Sequence, residues 1–216
     1  MGHVEIRKPP NSGSFYFNYK KTFCIVLMAI VNAKSEFLMV DVGKNGRNSD
    51  AGVFGHTTFS KMLESGSLHL PDAEELVTVE EKLAYVFVAD DAFPLKEHIM
   101  KPYSGTQLSP QELNFNKCLS SSRVRVENAF GILAHRFQVL VKPINLRPEK
   151  VTKIVLACCF LHNFLKRKNG TVYEALSSNE DVLIGLELTT SRNATTIAKN
   201  IRNKLCAYIN SNISNI

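Results

Sequence analysis

The chain has 216 residues, which suits one domain of ordinary size. Hydrophobic residues make up 44% and charged residues 21% of it, so the composition excludes a largely disordered chain and allows a substantial core. The net charge of +6 and the pI near 9.1 favour polyanionic partners, although many basic proteins bind no nucleic acid.

The cysteines and the N-terminal residues indicate in which cellular compartment the protein is expected. There are five cysteines, without the Cys-x-x-Cys spacing of a zinc site, so we expect free thiols in a reducing environment. The first eight residues have no apolar signal core, and the longest apolar run, Phe23 to Val31, is too short to span a bilayer. We therefore expect a soluble intracellular protein without a membrane partner.

An apolar hairpin is predicted near the N-terminus. The runs 22–31 and 36–43 are apolar, and the polar residues 32–35 between them can turn the chain. Residues 43–48 then read as a loop, and Ser49 is the predicted N-cap of a helix that ends at Gly66. The apolar stripe of this helix consists of Val53, Phe54, Phe59, Met62 and Leu63.

The middle of the chain contains a predicted buried strand. The acidic segment 72–82 is expected on the surface, and the apolar run 85–89 has the length of a strand that ends at Asp90. Pro94 is predicted to open a helical turn.

Helices are predicted to follow. Ser109 stands three residues before Glu112, the spacing of a capping box, and begins a helix that continues to about Leu140. A final core helix is predicted from helical spacing, and residues 169–216 read as a Ser/Asn/Thr-rich tail with short helices near 182–188 and 195–208. The stripe of the final core helix consists of Val151, Ile154, Val155, Cys158, His162 and Leu165.

The predicted order of elements is that of an α/β, ribonuclease H-like fold, a mixed sheet flanked by helices. In that fold the metal-binding carboxylates come from the first strand, the end of the fourth strand and a late helix. Asp90 and Glu127 occupy the second and third of these positions. We predict one such domain over residues 1–168, with a truncated first strand whose place residues 3–7 partly fill.

Five short segments, in order along residues 3–168, resemble the catalytic domain of Harbinger/PIF transposases and the nuclease derived from them. Any one of them is a weak match, whereas five in the family's order are a strong one. The segments are Pro9-Pro10-Asn11-Ser12-Gly13-Ser14, Val42-Gly43-x-x-Gly46-Arg47-x-Ser49-Asp50, Ala89-Asp90-Asp91-Ala92-Phe93-Pro94-Leu95, Val126-Glu127-Asn128-Ala129-Phe130-Gly131 and Leu161-His162-Asn163-Phe164.

The resemblance implies a set of metal ligands. In such transposases an Asp, Asp, Glu triad holds two divalent ions, normally Mg²⁺, with Mn²⁺ as the alternative. The Asp-x-x-Phe-Pro-Leu match assigns the second Asp to Asp90, and the Glu-Asn-x-Phe-Gly match assigns the Glu to Glu127. His3 and Val4 match the end of the Asp-x-x-His-Val motif, whose Asp would fall one position before Met1. This implies either a truncated start or a degenerate copy.

The resemblance also implies a function. We expect a DNA endonuclease domain that cleaves phosphodiester bonds by two-metal hydrolysis, impaired in this chain because the first Asp is absent. The alternative is a catalytically inactive, domesticated remnant that binds DNA or protein. The family further implies a separate DNA-binding partner protein and residence in the nucleus, with the cytoplasm as a second location.

Structural interpretations of the same residues stay open. Asp90 could cap a loop after its strand, and Glu127 could be a surface residue paired with Arg123 one helical turn earlier. Asp50 is an additional candidate ligand, although capping of its helix is favoured. His162 reads as a core histidine.

Basic residues are candidates for contact with DNA phosphates, which gives affinity without sequence preference. Tyr16, Phe17 and Tyr19 could stack on bases, but packing against the sheet is favoured. The basic candidates are Arg7, Lys8, Lys20, Lys21, Arg47, Arg123 and Arg125.

Overall fold

The computed structural model describes residues 1–47, 50–76, 79–174 and 194–213, which form two units. The first unit contains the described residues of Met1–Val53 and Val124–Leu186, and the second those of Phe54–Arg123 and Glu187–Ile216. Both strands and helices are present, so the predicted α/β class is confirmed. The predicted ribonuclease H-like arrangement and the domain boundary at residue 168 stay predictions.

The described residues contain seven strands and five α-helices. The strands are β1 (Gly2–Glu5), β2 (Cys24–Val31), β3 (Phe37–Asn45), β4 (Glu74–Leu76), β5 (Val79–Leu83), β6 (Phe87–Val88) and β7 (Ile99–Met100). The helices are α1 (Asp50–Gly55), α2 (Thr58–Glu64), α3 (Pro110–Arg136), α4 (Pro148–Glu174) and α5 (Thr196–Ile213), with a 3₁₀ turn at Gln138–Leu140.

The sheet of the first unit is antiparallel in the order β1-β2-β3, so the predicted hairpin is confirmed. Its turn is closed by Asn32, whose side-chain oxygen accepts from the amides of Lys34 at 2.9 Å and Glu36 at 3.0 Å. Ser35 in this turn takes a positive φ of 56°. An Asn side chain that bonds the backbone two residues on is a common way to fix such a turn.

Two predictions about this sheet have different outcomes. Residues 3–7 were expected to fill part of the first-strand position, and β1 does pair with β2 there. The predicted loop at 43–48 is wrong in its first part, because β3 continues to Asn45, which pairs with Ile25. The strand continues past a register shift at Val26 and Leu27 that the sequence pattern does not reveal.

The core of the first unit lies between the sheet, the second half of α3 and α4. It is mainly apolar, with His162 buried at its edge beside Phe37, and its helical residues recur at the three- and four-residue spacing of a buried helix face. The predicted stripe of α4 is confirmed at Val151, Val155, Cys158 and His162, all buried. The buried cluster comprises Val4, Ile6, Ile25, Leu27, Phe37, Ala129, Phe130, Leu133, Ala134, Leu140, Ile144, Val151, Val155, Cys158 and Cys159.

The strand predicted at residues 85–89 is shorter in the structure of the second unit. Only Phe87 and Val88 pair, with Ile99 and Met100 of the parallel strand β7, and both Tyr85 and Val88 are exposed. The helical turn predicted at Pro94 is also wrong. The chain makes a tight turn there instead, closed by paired amides and carbonyls of Lys96 and Ile99.

The helix predicted from Ser49 to Gly66 is divided into α1 and α2. Thr57 divides it, since its side chain accepts from the Ser60 amide at 3.0 Å and so caps α2. Phe54 and Phe59 of the predicted stripe are buried, whereas Met62 is exposed. Ser49, the predicted N-cap, lies outside the described residues.

The acidic segment predicted on the surface forms the hairpin of β4 and β5, which the sequence did not indicate. Glu74 and Glu75 are exposed, as expected. The capping box at the start of α3 is confirmed, because Glu112 accepts from both the amide and the hydroxyl of Ser109, at 2.8 and 2.9 Å.

Helix α5 lies within the segment predicted to be a tail. Ala198 and Cys206 are buried in a cluster with Phe115 and Leu119 of α3. The predicted helix near 195–208 is confirmed in a longer form, while the one near 182–188 lies outside the described residues. None of the helices in the described residues is long and apolar enough to cross a membrane.

Candidate active site

Asp90 lies two residues after Val88, the last residue of β6, at the carboxyl end of the parallel pairing of β6 with β7. Two hydrogen bonds hold this end, from the Phe87 amide to the His98 carbonyl and from the Ala89 amide to the Met100 carbonyl, both 2.8 Å. The Asp90 carboxylate then accepts from the Ala92 amide at 3.0 Å through Oδ1. This is an Asx turn, so the side chain caps the loop after its strand, as one interpretation of the sequence expected.

The second carboxylate oxygen of Asp90 faces a cation. Its Oδ2 lies 3.8 Å from Nη2 of Arg123, a partly buried residue of α3. At that distance the contact is electrostatic and too long for a hydrogen bond. The turn therefore occupies one oxygen of Asp90 and leaves the other with acceptor capacity.

Asp91 is fixed differently from its neighbour. Its Oδ1 lies 2.8 Å from Nζ of Lys101, and the same ammonium donates to the Asp91 carbonyl at 3.0 Å. Lys101 is buried, and a charge in such a place requires a close partner. Lys101 comes directly after β7, so this ion pair ties the Asp90–Asp91 loop to the end of that strand. The sequence analysis did not predict this role of Lys101. The position of a lysine directly after the apolar pair Ile99-Met100 could have indicated a buried charge that needs a partner.

Glu127 lies on α3 in the first unit and is partly buried. The helix is anchored there by Ala129, Phe130 and Leu133, which are buried in the core. Asp90 belongs to the second unit, so the sharing of one cation by Asp90 and Glu127 is a prediction that needs a metal-binding measurement.

Among the described residues the set of donor side chains for a metal centre is incomplete. Within the described part of the chain, no three His, Cys, Asp or Glu side chains group so as to hold a metal ion. Asp90 is suited to the role of a ligand, because its orientation is fixed by the Ala92 amide and its Oδ2 can accept a hard cation. Asp50 begins α1, and its side chain lies outside the described part.

A histidine and a cysteine meet at the start of the first unit, yet they do not form a nucleophile. His3 Nδ1 and the Asn18 amide nitrogen lie 3.1 and 3.2 Å from Cys24 Sγ. Burial raises the pKa of the Cys24 thiol to about 11 and lowers the pKa of His3 to about 4. Both groups are therefore neutral near pH 7, whereas a nucleophilic cysteine needs a thiolate.

The Leu-His-Asn-Phe segment of α4 proves to be structural in its two central residues. Asn163 accepts from the Phe37 amide and donates to the Phe37 carbonyl, both at 2.8 Å, and so satisfies the backbone of the sheet-edge strand β3. His162 is fully buried, and its Nε2 lies 3.0 Å from the Ser35 carbonyl. The prediction of a core histidine is confirmed.

The predicted phosphate-binding cations differ in exposure. Arg123 is partly buried, and its Nη2 lies 3.8 Å from Asp90 Oδ2. The other six are exposed to solvent: Arg7, Lys8, Lys20, Lys21, Arg47 and Arg125.

Comparison with known proteins identifies the class. The model of the DDE superfamily endonuclease family matches residues 2–163, so the chain belongs to that family. It is similar to Protein ALP1-like of Arabidopsis thaliana, with 27% identity over 156 residues that cover 71% of this chain and 38% of that protein. It is also similar to Putative nuclease HARBI1 of Homo sapiens, with 26% identity over 164 residues that cover 74% of this chain and 43% of that protein.

The resemblance to Harbinger-type transposases and their derived nucleases is thereby confirmed. The chain spans about two fifths of the length of these curated relatives. No solved structure shows significant similarity to it.

Proposed function

We propose that this chain is the catalytic part of a metal-dependent DNA endonuclease with a ribonuclease H-like fold. Membership of an endonuclease family implies a nucleic acid substrate. The observation that carries the proposal is the geometry of Asp90, which stands at a strand end with one oxygen fixed by the turn and the other available.

In this proposal the carboxylates of Asp90 and Glu127 bind Mg²⁺ or Mn²⁺. Such ions stabilise the charge that develops on the phosphate and lower the pKa of a bound water. The chain's own contribution is to hold Asp90 in place through the Ala92 amide and to keep its charge compensated by Arg123. The exposed cations bind DNA phosphates, and the protein acts in the nucleus, with a separate protein supplying target recognition.

The experiment is a supercoiled-plasmid nicking assay with Mg²⁺ and with Mn²⁺, together with calorimetric titration of the metal. Asp90→Asn removes the charge but keeps an amide oxygen that can still accept from Ala92, whereas Asp90→Ala removes both. We expect both variants, and Glu127→Gln, to lose metal binding and nicking. Asp72→Asn and Glu149→Gln, at exposed positions of the same residue types, are matched controls and should behave as wild type.

The position directly before Met1, where the family motif has its first Asp, provides a second arm of the experiment. The 216-residue polypeptide should nick weakly, and an Asp added directly before Met1 recreates the Asp-x-x-His-Val motif with His3 and Val4. We expect this addition to raise nicking at least about tenfold, which corresponds to little more than one kilocalorie of transition-state stabilisation. If Asp90→Asn and Glu127→Gln nick as well as wild type, the proposed ligands are wrong.

A second candidate function is a DNA-binding module without cleavage. It is favoured by the incomplete set of metal ligands among the described residues. Under this alternative neither the chain nor its Asp-extended form nicks the plasmid, while both bind DNA with an affinity that falls steeply with salt.

A further inference from the structure

The loop between β1 and β2, residues 7–23, is basic and carries no acidic side chain. Arg7, Lys8, Lys20 and Lys21 are all exposed on it. No Asp or Glu occurs between Glu5 and Glu36 in the sequence, so no acidic residue of this loop offsets these charges. The loop therefore favours a polyanion.

Three aromatic side chains of the same loop are exposed to solvent. Phe15 is 54%, Phe17 38% and Tyr19 45% exposed. The predicted packing against the sheet holds in part, because Tyr19 contacts His3 of β1 and Phe17 contacts Phe23, while both rings keep a large exposed fraction. Large exposed rings are costly to leave in water, and three of them within five residues are typical of a binding surface.

Each of these exposed rings is supported from one side by another ring. Phe15 contacts Tyr16 edge to face at 5.1 Å between centroids, and Phe17 packs against Phe23 at 5.1 Å. Tyr19 makes an edge contact with His3 at 6.0 Å. Such contacts orient a ring without burying it, so part of each ring stays exposed to solvent.

The backbone that presents the rings is held by hydrogen bonds. The side-chain oxygen of the buried Asn18 accepts from the Thr22 backbone amide at 3.0 Å. The backbone amide of Asn18 donates to the Thr22 carbonyl at 2.9 Å. The Cys24 amide donates to the Tyr16 carbonyl at 2.9 Å. A surface already ordered in the free protein loses little conformational entropy when it binds.

We propose that this loop binds unpaired nucleotides of a DNA strand, with bases stacked on Phe15, Phe17 and Tyr19 and phosphates held by the neighbouring cations. The proposal rests on the proposed function only in taking DNA as the polymer. A duplex hides the faces of its bases, whereas an unpaired strand exposes them. Stacking on aromatic rings beside a basic track is the usual chemistry of single-strand binding, and it tolerates any sequence.

The test measures the fluorescence anisotropy of a labelled oligothymidylate of about 12 nucleotides, a length within the usual single-strand site size. A duplex of similar charge is the comparison. Phe15→Ala and Tyr19→Ala should each weaken single-strand binding at least about fivefold and leave duplex binding within about twofold. Tyr19→Phe should retain wild-type affinity because it keeps the ring. Tyr19→Leu keeps much of the side-chain volume but loses the ring, so it should behave as Tyr19→Ala.

Phe164→Ala is the matched control. Phe164 is an exposed ring of the same unit, 58% exposed, with the Lys168 ammonium 5.9 Å from its centroid. The Lys20 ammonium lies at the same distance, 5.9 Å, from the Tyr19 ring. Phe164→Ala should leave single-strand binding unchanged. Lys20→Gln should instead reduce the salt dependence of binding to both ligands.

The inference is overturned if wild type does not bind the oligothymidylate, or if Tyr19→Leu and Phe15→Ala bind it as well as Phe164→Ala does. Equal weakening of single-strand and duplex binding also overturns it, since charge alone would then explain the affinity. Plasmid nicking separates this result from the proposed nuclease function. Intact nicking with unchanged single-strand binding in the ring variants refutes the stacking surface alone. Loss of binding in the ring variants supports it whether or not the chain nicks DNA.

Discussion

The ion pair between Asp91 and Lys101 gives the sharpest prediction about the loop that carries Asp90. Lys101→Met keeps most of the side-chain length and removes the ammonium, so the Asp91 carboxylate loses its partner. Removing one member of a buried pair costs roughly 3–5 kcal/mol in general. The side chains of Lys101 and Asp91 are 9% and 27% exposed, so water can offset part of this loss. We expect a decrease of about 2–3 kcal/mol in the free energy of unfolding.

The measurement is urea denaturation followed by circular dichroism, which suits a chain without tryptophan. A loss of this size corresponds to about 5–10 °C in melting temperature for a protein of this length. Lys96→Met is the matched control, because Lys96 forms an ion pair with Glu64 at the surface. Surface pairs contribute about 0–1 kcal/mol, so this variant should change stability little.

The double variant Asp91→Asn, Lys101→Met decides whether charge is the cause. It removes both charges, and replacing a buried pair by neutral groups is often close to neutral. We therefore expect it to be more stable than Lys101→Met alone. The reasoning is refuted if Lys101→Met lies within about 0.5 kcal/mol of wild type, a difference typical of ordinary surface substitutions. A double variant no more stable than the single one would refute it as well.

Three further predictions concern the partly buried side chains of Asn163, His3 and Cys118. Asn163→Ala leaves the Phe37 amide and carbonyl without their partner and should lower stability by about 1–3 kcal/mol in the same urea assay, whereas an unchanged midpoint would show that water replaces the side chain. Burial lowers the pKa of His3 to about 4, so the unfolded state binds more protons below about pH 6.5, and stability should fall by about 2 kcal/mol as the pH drops from 6.5 towards 4. His3→Gln should lessen that fall, and an identical pH profile in the variant would contradict the assignment. Titration of the native protein with a thiol reagent should modify Cys118 first, because the other four cysteines are buried, and rapid reaction of two or more thiols would be the contrary result.

The features predicted correctly are those fixed by local chemistry. The hairpin of β2 and β3 follows from two apolar runs separated by Asn32–Ser35, and the start of α3 follows from Ser109 and Glu112. The buried face of α4 follows from helical spacing. Each of these signals lies within a few residues, so no knowledge of distant partners is needed.

The features missed depend on residues far apart in the sequence or on surface strands. The apolar run at 85–89 suggested a long buried strand, but its partner β7 pairs over only two residues. The β4–β5 hairpin is acidic where it is described, so it lacks the apolar alternation by which a strand is recognised. The break between α1 and α2 depends on which of the two adjacent threonines, Thr57 or Thr58, caps a helix, and sequence spacing alone did not select Thr57.

In the candidate site, too, the local features could be predicted from the sequence and the long-range contacts could not. The strand before Asp90 and the motif around it could be predicted from the sequence, and the structure places Asp90 two residues after the end of β6. The pairing of Asp91 with Lys101 could not, because it depends on the parallel alignment of two very short strands. The roles of Asp90 and Glu127 as metal ligands stay predictions.

The two interpretations of Asp90, loop cap and metal ligand, are compatible because they use different oxygens. Oδ1 accepts from the Ala92 amide at 3.0 Å, and Oδ2 lies 3.8 Å from Arg123, beyond hydrogen-bonding range. The cap restricts the carboxylate to one orientation before any ligand binds, which reduces the entropy lost on binding. Asp90→Asn is therefore more informative than Asp90→Ala, since asparagine can keep the cap while losing the charge. A folded Asp90→Asn variant that no longer binds the cation would assign the ligand role to the charge rather than to the loop that the side chain supports.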